Sequence, residues 1–432
     1  MRIRPARRIK GHLRVPGDKS ISHRAAIISA LAHGTSKISN FATGADCAAT
    51  VACLKALGVA LSEADGNLIV KGVGRHGFNP AEKPLDCGNS GSTMRMLAGV
   101  LAGQSFTSTL LGDKSLSTRP MRRIIEPLEA MGATIQSQAD KPPLTIIGTD
   151  SLKAIAYDLP ISSAQVKSCV LLAAVNATGV TTVSESLVKS RDHTERMLQW
   201  FGASLSQHTK DERNVVRING PAALVARDLA IPGDISSAAY FVAAAGLLPN
   251  SDLTLENVGL NPTRTGFLSL FESLGLTIET ANVREESNEP LGDIRVGARV
   301  SPVPSQITLS GSASAQVIDE LPLLAILGSQ TPGGIEIRDA EELRLKESDR
   351  IAATVENLRA MGAIVKEFDD GMSVAPTQLK GARLESHGDH RIAMAFTVAA
   401  LIAEGDSEIH DSECVQVSFP GFFEILEALV ER

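Results

Sequence analysis

Leu128-Glu-Ala-Met-Gly-Ala-Thr-Ile135 packs a helix end, a glycine and the start of a strand into one short stretch, and the chain repeats it. The apolar residues before the glycine have helical spacing and those after it suit a strand. Glycine at such a junction ends the helix. Variants stand at Leu54 (LKALGVAL), Leu198 (LQWFGASL), Phe271 (FESLGLTI) and Leu358 (LRAMGAIV), and ILEALVER from Ile425 reads as a further copy cut off at its glycine. A second pattern interleaves with the first: a polar helix start, an Ala/Leu/Val-rich buried helix, a Gly-containing turn and a β-branched strand. It runs from Ser20 to Phe41, Gly91 to Gly112, Ser162 to Ser184, Ser236 to Val258, Val317 to Ile337 and His390 to His410. With short strands read from Asn67, Pro143, Val215 and Asp293 (DIRVGA), each pair of patterns makes a unit of about 70 residues.

Six α/β units exceed what one small core can hold, so two lobes of three units are expected. Pro-Gly-Asp occurs at Pro16 to Asp18 and again at Pro232 to Asp234, which suits paired crossings between lobes. The spacing predicts a middle lobe of about 17–232 and a discontinuous lobe of about 1–16 plus 233–432. Ligands are expected in the cleft between them.

The 432 residues are 43% hydrophobic and 21% charged, as in a globular soluble chain, and the net charge of -7 argues against a nucleic-acid or acidic-membrane partner. Any anionic ligand must therefore meet basic residues gathered locally. The five cysteines, Cys47, Cys53, Cys87, Cys169 and Cys414, show neither a C-x-x-C pair nor zinc spacing, so buried thiols in a reducing compartment are expected, without metal or disulfide. The basic start MRIRPARRIKGHLRVPG lacks the apolar stretch of a secretory signal and reads as a first strand. The most apolar run, Ala238 to Leu248, is well short of the about 20 residues that span a bilayer. A cytoplasmic monomer is the expectation, since the repeats complete their own cores.

The helix starts hold an unusual share of anion-binding groups. Pro16-Gly-Asp-Lys-Ser-Ile-Ser-His-Arg24 sets Lys19, Ser20 and Arg24 around the N-terminus of an apolar helix, where free N–H groups attract anions. Cys87-Gly-Asn-Ser-Gly-Ser-Thr-Met-Arg95 is a Gly/Ser turn able to cradle a phosphate or carboxylate. In Gly112-Asp-Lys-Ser-Leu-Ser-Thr-Arg-Pro-Met121, Pro120 suits the first turn of the next helix and leaves Arg119 near its N-terminus. Ser162-Ser163-Ala164-Gln165 offers neutral donors, with Lys167 behind it read as surface charge. In Lys189-Ser-Arg-Asp-His-Thr-Glu-Arg196, Arg191 is placed to face a ligand and Arg196 is read as solvated or ion-paired. Asp319, before a very apolar helix, is either its cap or a general base toward a hydroxyl. Lys346 and Arg350 lie four apart, read as one helix face with Glu347 beside them, and Gly388-Asp-His390-Arg391 opens the last buried helix. His23 and His390 are read as hydrogen-bonding structural residues. Many cations, two candidate proton-transfer carboxylates, no metal set and no Ser-His-Asp arrangement point to addition or transfer between small anionic molecules.

PGDKSISHR, GNSGSTMR, GDKSLSTRPM, SAQVKS, LRLKESDR and GDHR, in this order and across nearly the whole chain, resemble the 5-enolpyruvylshikimate-3-phosphate (EPSP) synthase family. The resemblance implies a two-lobed inside-out α/β barrel (prism) of six βαβαββ repeats, three per lobe, with helices inside and sheets outside. It implies transfer of the enolpyruvyl group of phosphoenolpyruvate to the 5-hydroxyl of shikimate 3-phosphate with release of phosphate, without a cofactor. On the same grounds Lys19, Ser20, Arg24, Ser163, Ala164, Gln165, Arg191, Asp319 and Lys346 would bind shikimate 3-phosphate. Lys19, Asn89, Gly91, Arg119, Gln165, Arg350 and Arg391 would bind phosphoenolpyruvate. Asp319 would be the base toward the hydroxyl, with Glu347 and Lys19 serving the proton at the vinyl carbon. Gathering so many cations should hold the free protein open until shikimate 3-phosphate closes it.

Some positions depart from the better-known branch of the family. Val417-Ser-Phe-Pro420 stands where that branch has Lys-Thr-Phe-Pro, Ser163-Ala-Gln replaces Ser-Ser-Gln, Met96 stands in place of a proline, and Arg191 falls near a ring-stacking tyrosine. These resemble the second class, which includes glyphosate-tolerant enzymes, whereas Gly91 is the small residue associated with sensitivity. The sibling transferase acting on UDP-N-acetylglucosamine has a lysine-asparagine pair where this chain has Lys19-Ser20 and uses a loop cysteine as acid; Cys87 is read as structural instead. A non-catalytic anion-binding protein would gain nothing from Asp319 and Glu347.

Overall fold

The helices Ala45–Ala56, Arg122–Ala130, His193–Trp200, Gly266–Ser273 and Arg350–Ala360 each give way to a strand after a short turn, at the five glycine junctions read from the sequence. Gly58, Gly132, Gly202, Gly275 and Gly362 have φ of +87°, +110°, +94°, +91° and +85°, the left-handed conformation that side chains resist. The residue after each glycine donates its N–H back to the carbonyl of Leu54, Leu128, Leu198, Phe271 or Leu358, the first residue of each repeat. This bond pattern satisfies carbonyls that the helix end leaves over. The last copy needs no glycine, because Phe422–Leu429 runs directly into the strand Val430–Glu431. Gly362→Ala is expected to lower stability by about 1 kcal/mol, read as a lower urea midpoint. A Cβ there would meet nothing within 4 Å, so the cost is the backbone's alone.

This computed structural model describes residues 1–297 and 307–432; Ala298, the end of the strand read from Asp293, lies outside the described residues. The second pattern yields the helices Lys19–Leu31, Gly91–Ala102, Ala164–Ala174, Ile235–Leu247, Leu321–Ser329 and His390–Leu401. They are buried nearly all round; in the first, every residue from Ile21 to Leu31 is buried. A helix without a polar face belongs in the middle of a core. The strands instead alternate, as Lys141–Ile147 does between exposed and buried, so the sheets form the outside.

Among the described residues there are six sheets, and five of them share one scheme. In one, Leu85–Asp86 runs parallel to Thr107–Leu111, which pairs antiparallel with Lys141–Ile147, itself antiparallel to Thr134–Gln138. The same order recurs around His33–Ser39, Gly179–Ser186, Asp252–Gly259 and Ile335–Ile337. The remaining sheet, Arg383–Glu385 parallel to Ser407–His410, is completed by the N-terminal Arg2–Ile3. In four of the sheets a buried helix, Gly91–Ala102, Ala164–Ala174, Leu321–Ser329 or His390–Leu401, makes the crossover that the parallel pair requires, whereas Leu229–Ala230 beside His33–Ser39 and Arg8–Leu13 beside Asp252–Gly259 are brought together from distant parts of the chain.

The chain divides into two units, Gly17–Ile231 with Glu285–Glu289, and Met1–Pro16 with Pro232–Arg284 and Pro290–Arg432. Each has three sheets and its own hydrophobic core. Glu285–Glu289, which the sequence assigned to the discontinuous lobe, groups with Gly17–Ile231. There Glu289 Oε1 lies 2.7 Å from His193 Nδ1, and Arg196 and Asn288 exchange two hydrogen bonds of 3.1 and 3.0 Å. Among the described residues no helix is long and apolar enough to cross a membrane.

Candidate functional site

In the Gly17–Ile231 unit the candidate residues gather at the starts of the buried helices. Asp18 caps the first by accepting the Ile21 N–H at 2.9 Å, which leaves Lys19 and Ser20 as its opening residues. Lys19 Nζ reaches Asp46 Oδ2 at 2.8 Å. Arg24, one turn on, is buried; it donates from Nε to Thr194 Oγ1 (2.7 Å), from Nη1 to the Ser20 carbonyl (2.7 Å) and from Nη2 to Ser168 Oγ (2.8 Å). Those bonds fix the plane of the guanidinium while using three of its five N–H groups. Burial pulls Arg24 down to about 10, a shift that Glu195 opposes, so it remains a cation at neutral pH.

Ser90 caps the Gly91–Ala102 helix through the Thr93 N–H (3.1 Å). Beside it Arg119 Nη2 donates to Asn89 Oδ1 (2.8 Å), and Asn89 Nδ2 to Asp113 Oδ2 (2.7 Å). A Cβ on Gly91 would stand 2.6 Å from Arg95 Nη1 and 3.5 Å from Arg119 Nη1, so a larger residue would displace the end of Arg95. Arg95, unassigned in the sequence, donates to Gln165 Oε1 at 2.6 Å, and Gln165 Nε2 donates to Ser92 Oγ at 2.9 Å. The Ala164–Ala174 helix begins after Ser163 with no side-chain cap bond. Ser163, Ala164 and Gln165 are half-buried there, as is Arg191 in the strap before His193–Trp200.

Two sequence readings in this unit change, and a third is narrowed. Lys167 is not surface charge: its side chain is 1% exposed, and Nζ lies 2.7 Å from Glu185 and 2.8 Å from Glu195, with the Ser190 carbonyl at 3.2 Å. Burial works against its charge, and the two carboxylates outweigh burial, so Lys167 stays protonated. Pro120 lies outside the next helix, which begins at Arg122 after Met121, and Arg119 instead ends the short turn Leu116–Thr118. Arg196, left open as solvated or paired, is paired with Asp192 at 2.9 Å. His23 is structural: it bonds Thr50 Oγ1 at 2.7 Å, and burial drops it to about 3, keeping the ring neutral. Cys87 is fully buried, and its bond with Cys53 and its burial both push the thiol up, the opposite of what an acid catalyst needs.

In the other unit the candidates meet around two arginines. Arg350 opens the Arg350–Ala360 helix, whose N-cap Asp349 accepts the Ala352 N–H at 3.0 Å. Its side chain, 1% exposed, donates to Asp389 (2.8 and 3.2 Å), to Glu347 Oε2 (2.6 Å) and to Asp319 Oδ1 (3.5 Å). Arg391 Nη2 lies 3.3 Å from Asp319 Oδ2, and its Nη1 lies 3.8 Å from Glu320 Oε1. Burial opposes both charges, but Asp389 and Glu347 for Arg350, and Asp319 for Arg391, hold the guanidinium groups strongly protonated.

Asp319 is therefore not a cap. Glu320 occupies the N-cap position of Leu321–Ser329, with no side-chain cap bond, and Asp319 turns to the two arginines. Lys346 and Glu347 do not share a helix face with Arg350. They belong to the strap between the turn Glu341–Leu345 and the helix, because Asp349 caps the helix later than the spacing predicted. Burial pulls Lys346 down, and Asp319 and Glu342 oppose that shift. Of the site cations, Lys19 in one unit and Arg350 and Arg391 in the other are paired with carboxylates of their own unit, whereas Arg24 and Arg119 are held by neutral groups.

The family model of EPSP synthase (3-phosphoshikimate 1-carboxyvinyltransferase) matches residues 3–426. A 3-phosphoshikimate 1-carboxyvinyltransferase of Koribacter versatilis is 49% identical, over 100% of this chain and 99% of its own. One from Acidithiobacillus ferrooxidans is also 49% identical, over 97% of this chain and 95% of its own. The solved EPSP synthase of Acinetobacter baumannii superposes with a TM-score of 0.86 at 39% identity, covering 99% of this chain and 98% of that one. Five sheets of one scheme and a sixth that keeps its parallel pair, the basic and polar residues at the helix starts, and these full-length matches agree: the chain belongs to the EPSP synthase family.

Proposed function

We propose that this protein transfers the 1-carboxyvinyl group of phosphoenolpyruvate to the 5-hydroxyl of shikimate 3-phosphate, giving 5-enolpyruvylshikimate 3-phosphate and phosphate. The observation that carries this reading is Asp319, a carboxylate held between Arg350 and Arg391 rather than spent on capping the helix behind it. In the addition step Asp319 accepts the hydroxyl proton as the oxygen bonds to C2 of phosphoenolpyruvate, and C3 gains a proton. In the elimination step the C2–O bond to phosphate breaks and C3 returns a proton. Glu347, bonded to Arg350, serves C3 together with Lys19, a role suited to a carboxyl group that can both give and take a proton. Arg119, Arg350 and Arg391, with Asn89, Gly91 and Gln165, hold the phosphate and carboxylate of phosphoenolpyruvate. Ser20, Arg24, Ser163, Ala164, Gln165, Arg191 and Lys346 hold shikimate 3-phosphate. Fixed cations of this kind stabilise charge throughout the reaction without reorganising.

A core complete in each unit supports a monomer, and five free cysteines support a reducing, cytoplasmic setting. The test is release of phosphate from phosphoenolpyruvate, measured with shikimate 3-phosphate present and omitted. Release should require both compounds, and Lys19→Met should slow it at least about a hundredfold while the protein stays folded. Release independent of shikimate 3-phosphate would sink the reading.

A further inference from the structure

Glu320 lies next to Asp319 in sequence and is more deeply buried, at 6% exposure. Its Oε1 accepts from Ser236 Oγ at 2.5 Å, and the same hydroxyl oxygen accepts from Arg264 Nη2 at 2.7 Å. Arg264, 5% exposed, lies 3.6 Å from Asp234, the residue that caps the Ile235–Leu247 helix. Ser236, itself held by Arg264, thus fixes one carboxylate, and that carboxylate faces Arg391 Nη1 at 3.8 Å while Asp319 lies 3.3 Å from Arg391 Nη2. A buried carboxylate of this kind is costly unless it is held for a purpose or strictly paired.

We propose that Glu320 is a positioning residue for the transfer reaction, which clamps Arg391 against Asp319 and keeps Asp319 a competent proton acceptor. This rests on the proposed function, because it assigns Asp319 as the base. Two guanidinium groups beside Asp319 weaken it as a base, since a carboxylate so neighboured releases its proton early. A second negative charge beside Arg391 offsets part of that field without itself reaching the substrate. The charged and titratable groups facing Glu320 are Arg391 from the last buried helix, Arg264 from the loop before Gly266–Ser273, and Asp319 in its own strap. Tyr240 of the Ile235–Leu247 helix lies in the same field with Arg350 and Asp389. Burial raises the Glu320 carboxyl and Asp319 adds to the rise, while Arg391 and Arg264 oppose it.

The test compares Glu320→Gln and Ser236→Ala with the unsubstituted protein in pH profiles of kcat and kcat/KM for phosphoenolpyruvate. The glutamine removes the charge at nearly constant volume. Its acid limb should move lower in pH, because the parent's limb includes protonation of Glu320, which burial raises, whereas the variant's limb is left to Asp319 alone. Its kcat at neutral pH should fall about tenfold. Ser236→Ala keeps the carboxyl and loosens its hold, so KM for phosphoenolpyruvate should rise at least about threefold. A folded glutamine variant whose acid limb coincides with that of the parent overturns the proposal. If that variant does not fold, an unchanged KM in Ser236→Ala overturns it. Absence of transfer in the unsubstituted protein would instead be a failure of the proposed function.

Discussion

Asp319→Asn is expected to lower kcat by about 10²- to 10⁴-fold, the range seen when a positioned proton acceptor is lost. The asparagine keeps the volume and one oxygen toward the arginines but cannot accept the hydroxyl proton. The fold should survive, because Arg350 retains Asp389 at 2.8 Å and Glu347 at 2.6 Å, and Arg391 retains Glu320. KM for both substrates should therefore change far less than kcat, and thermal unfolding should move little. Phosphate release in steady state, with a melting curve on the same sample, checks both halves. A variant that keeps more than about a tenth of the parent kcat would remove Asp319 from the base role, and the proton would have to leave by way of Glu347 or Lys346.

The junction glycines were legible because one physical demand repeats: each helix must end in a left-handed residue and hand its last carbonyl to the residue beyond. That demand acts within a single short stretch, so sequence alone exposes it. The starts of the buried helices were legible for the same reason. Asp18, Ser90, Asp234 and Asp389 all accept a backbone N–H from the first turn they precede. What escaped is what depends on distant partners. Lys167 looked like solvated charge because lysine usually is, and its partners Glu185 and Glu195 stand far along the chain on another strand and another helix. The spacing of Lys346 and Arg350 fits a helix face, yet Asp349 is the better cap and moves the helix start past Lys346. Arg95 sat inside a quoted motif, but its bond to Gln165 joins two buried helices that no local pattern connects. Most consequentially, counting cations at helix starts overstated the positive field, because Asp46, Asp389 and Glu320 are carboxylates whose place beside those cations only the fold reveals.

Lys167→Met should cost about 3 to 5 kcal/mol of stability, the largest loss expected from any single change away from the substrate-binding groups. Lys167 and both its carboxylate partners are at most 2% exposed, so removing the cation leaves two negative charges facing each other out of water. Methionine fills nearly the same space, which keeps packing out of the result. The triple variant Lys167→Met, Glu185→Gln, Glu195→Gln removes charge of both signs and should recover most of the loss, since a buried ion cluster and a neutral one often differ little in net stability. Urea unfolding of parent, single and triple variants reads the difference directly. The triple variant should still bind shikimate 3-phosphate poorly. Lys167 also takes the Ser190 carbonyl at 3.2 Å and so holds the strap that carries Arg191, while Thr194, beside Glu195, is the hydroxyl that fixes Arg24. Stability regained with a raised KM for shikimate 3-phosphate and an unchanged KM for phosphoenolpyruvate would assign the ion cluster to shaping one substrate's site. A single variant that loses less than about 1 kcal/mol would mean that water reaches Glu185 and Glu195 once the lysine is gone.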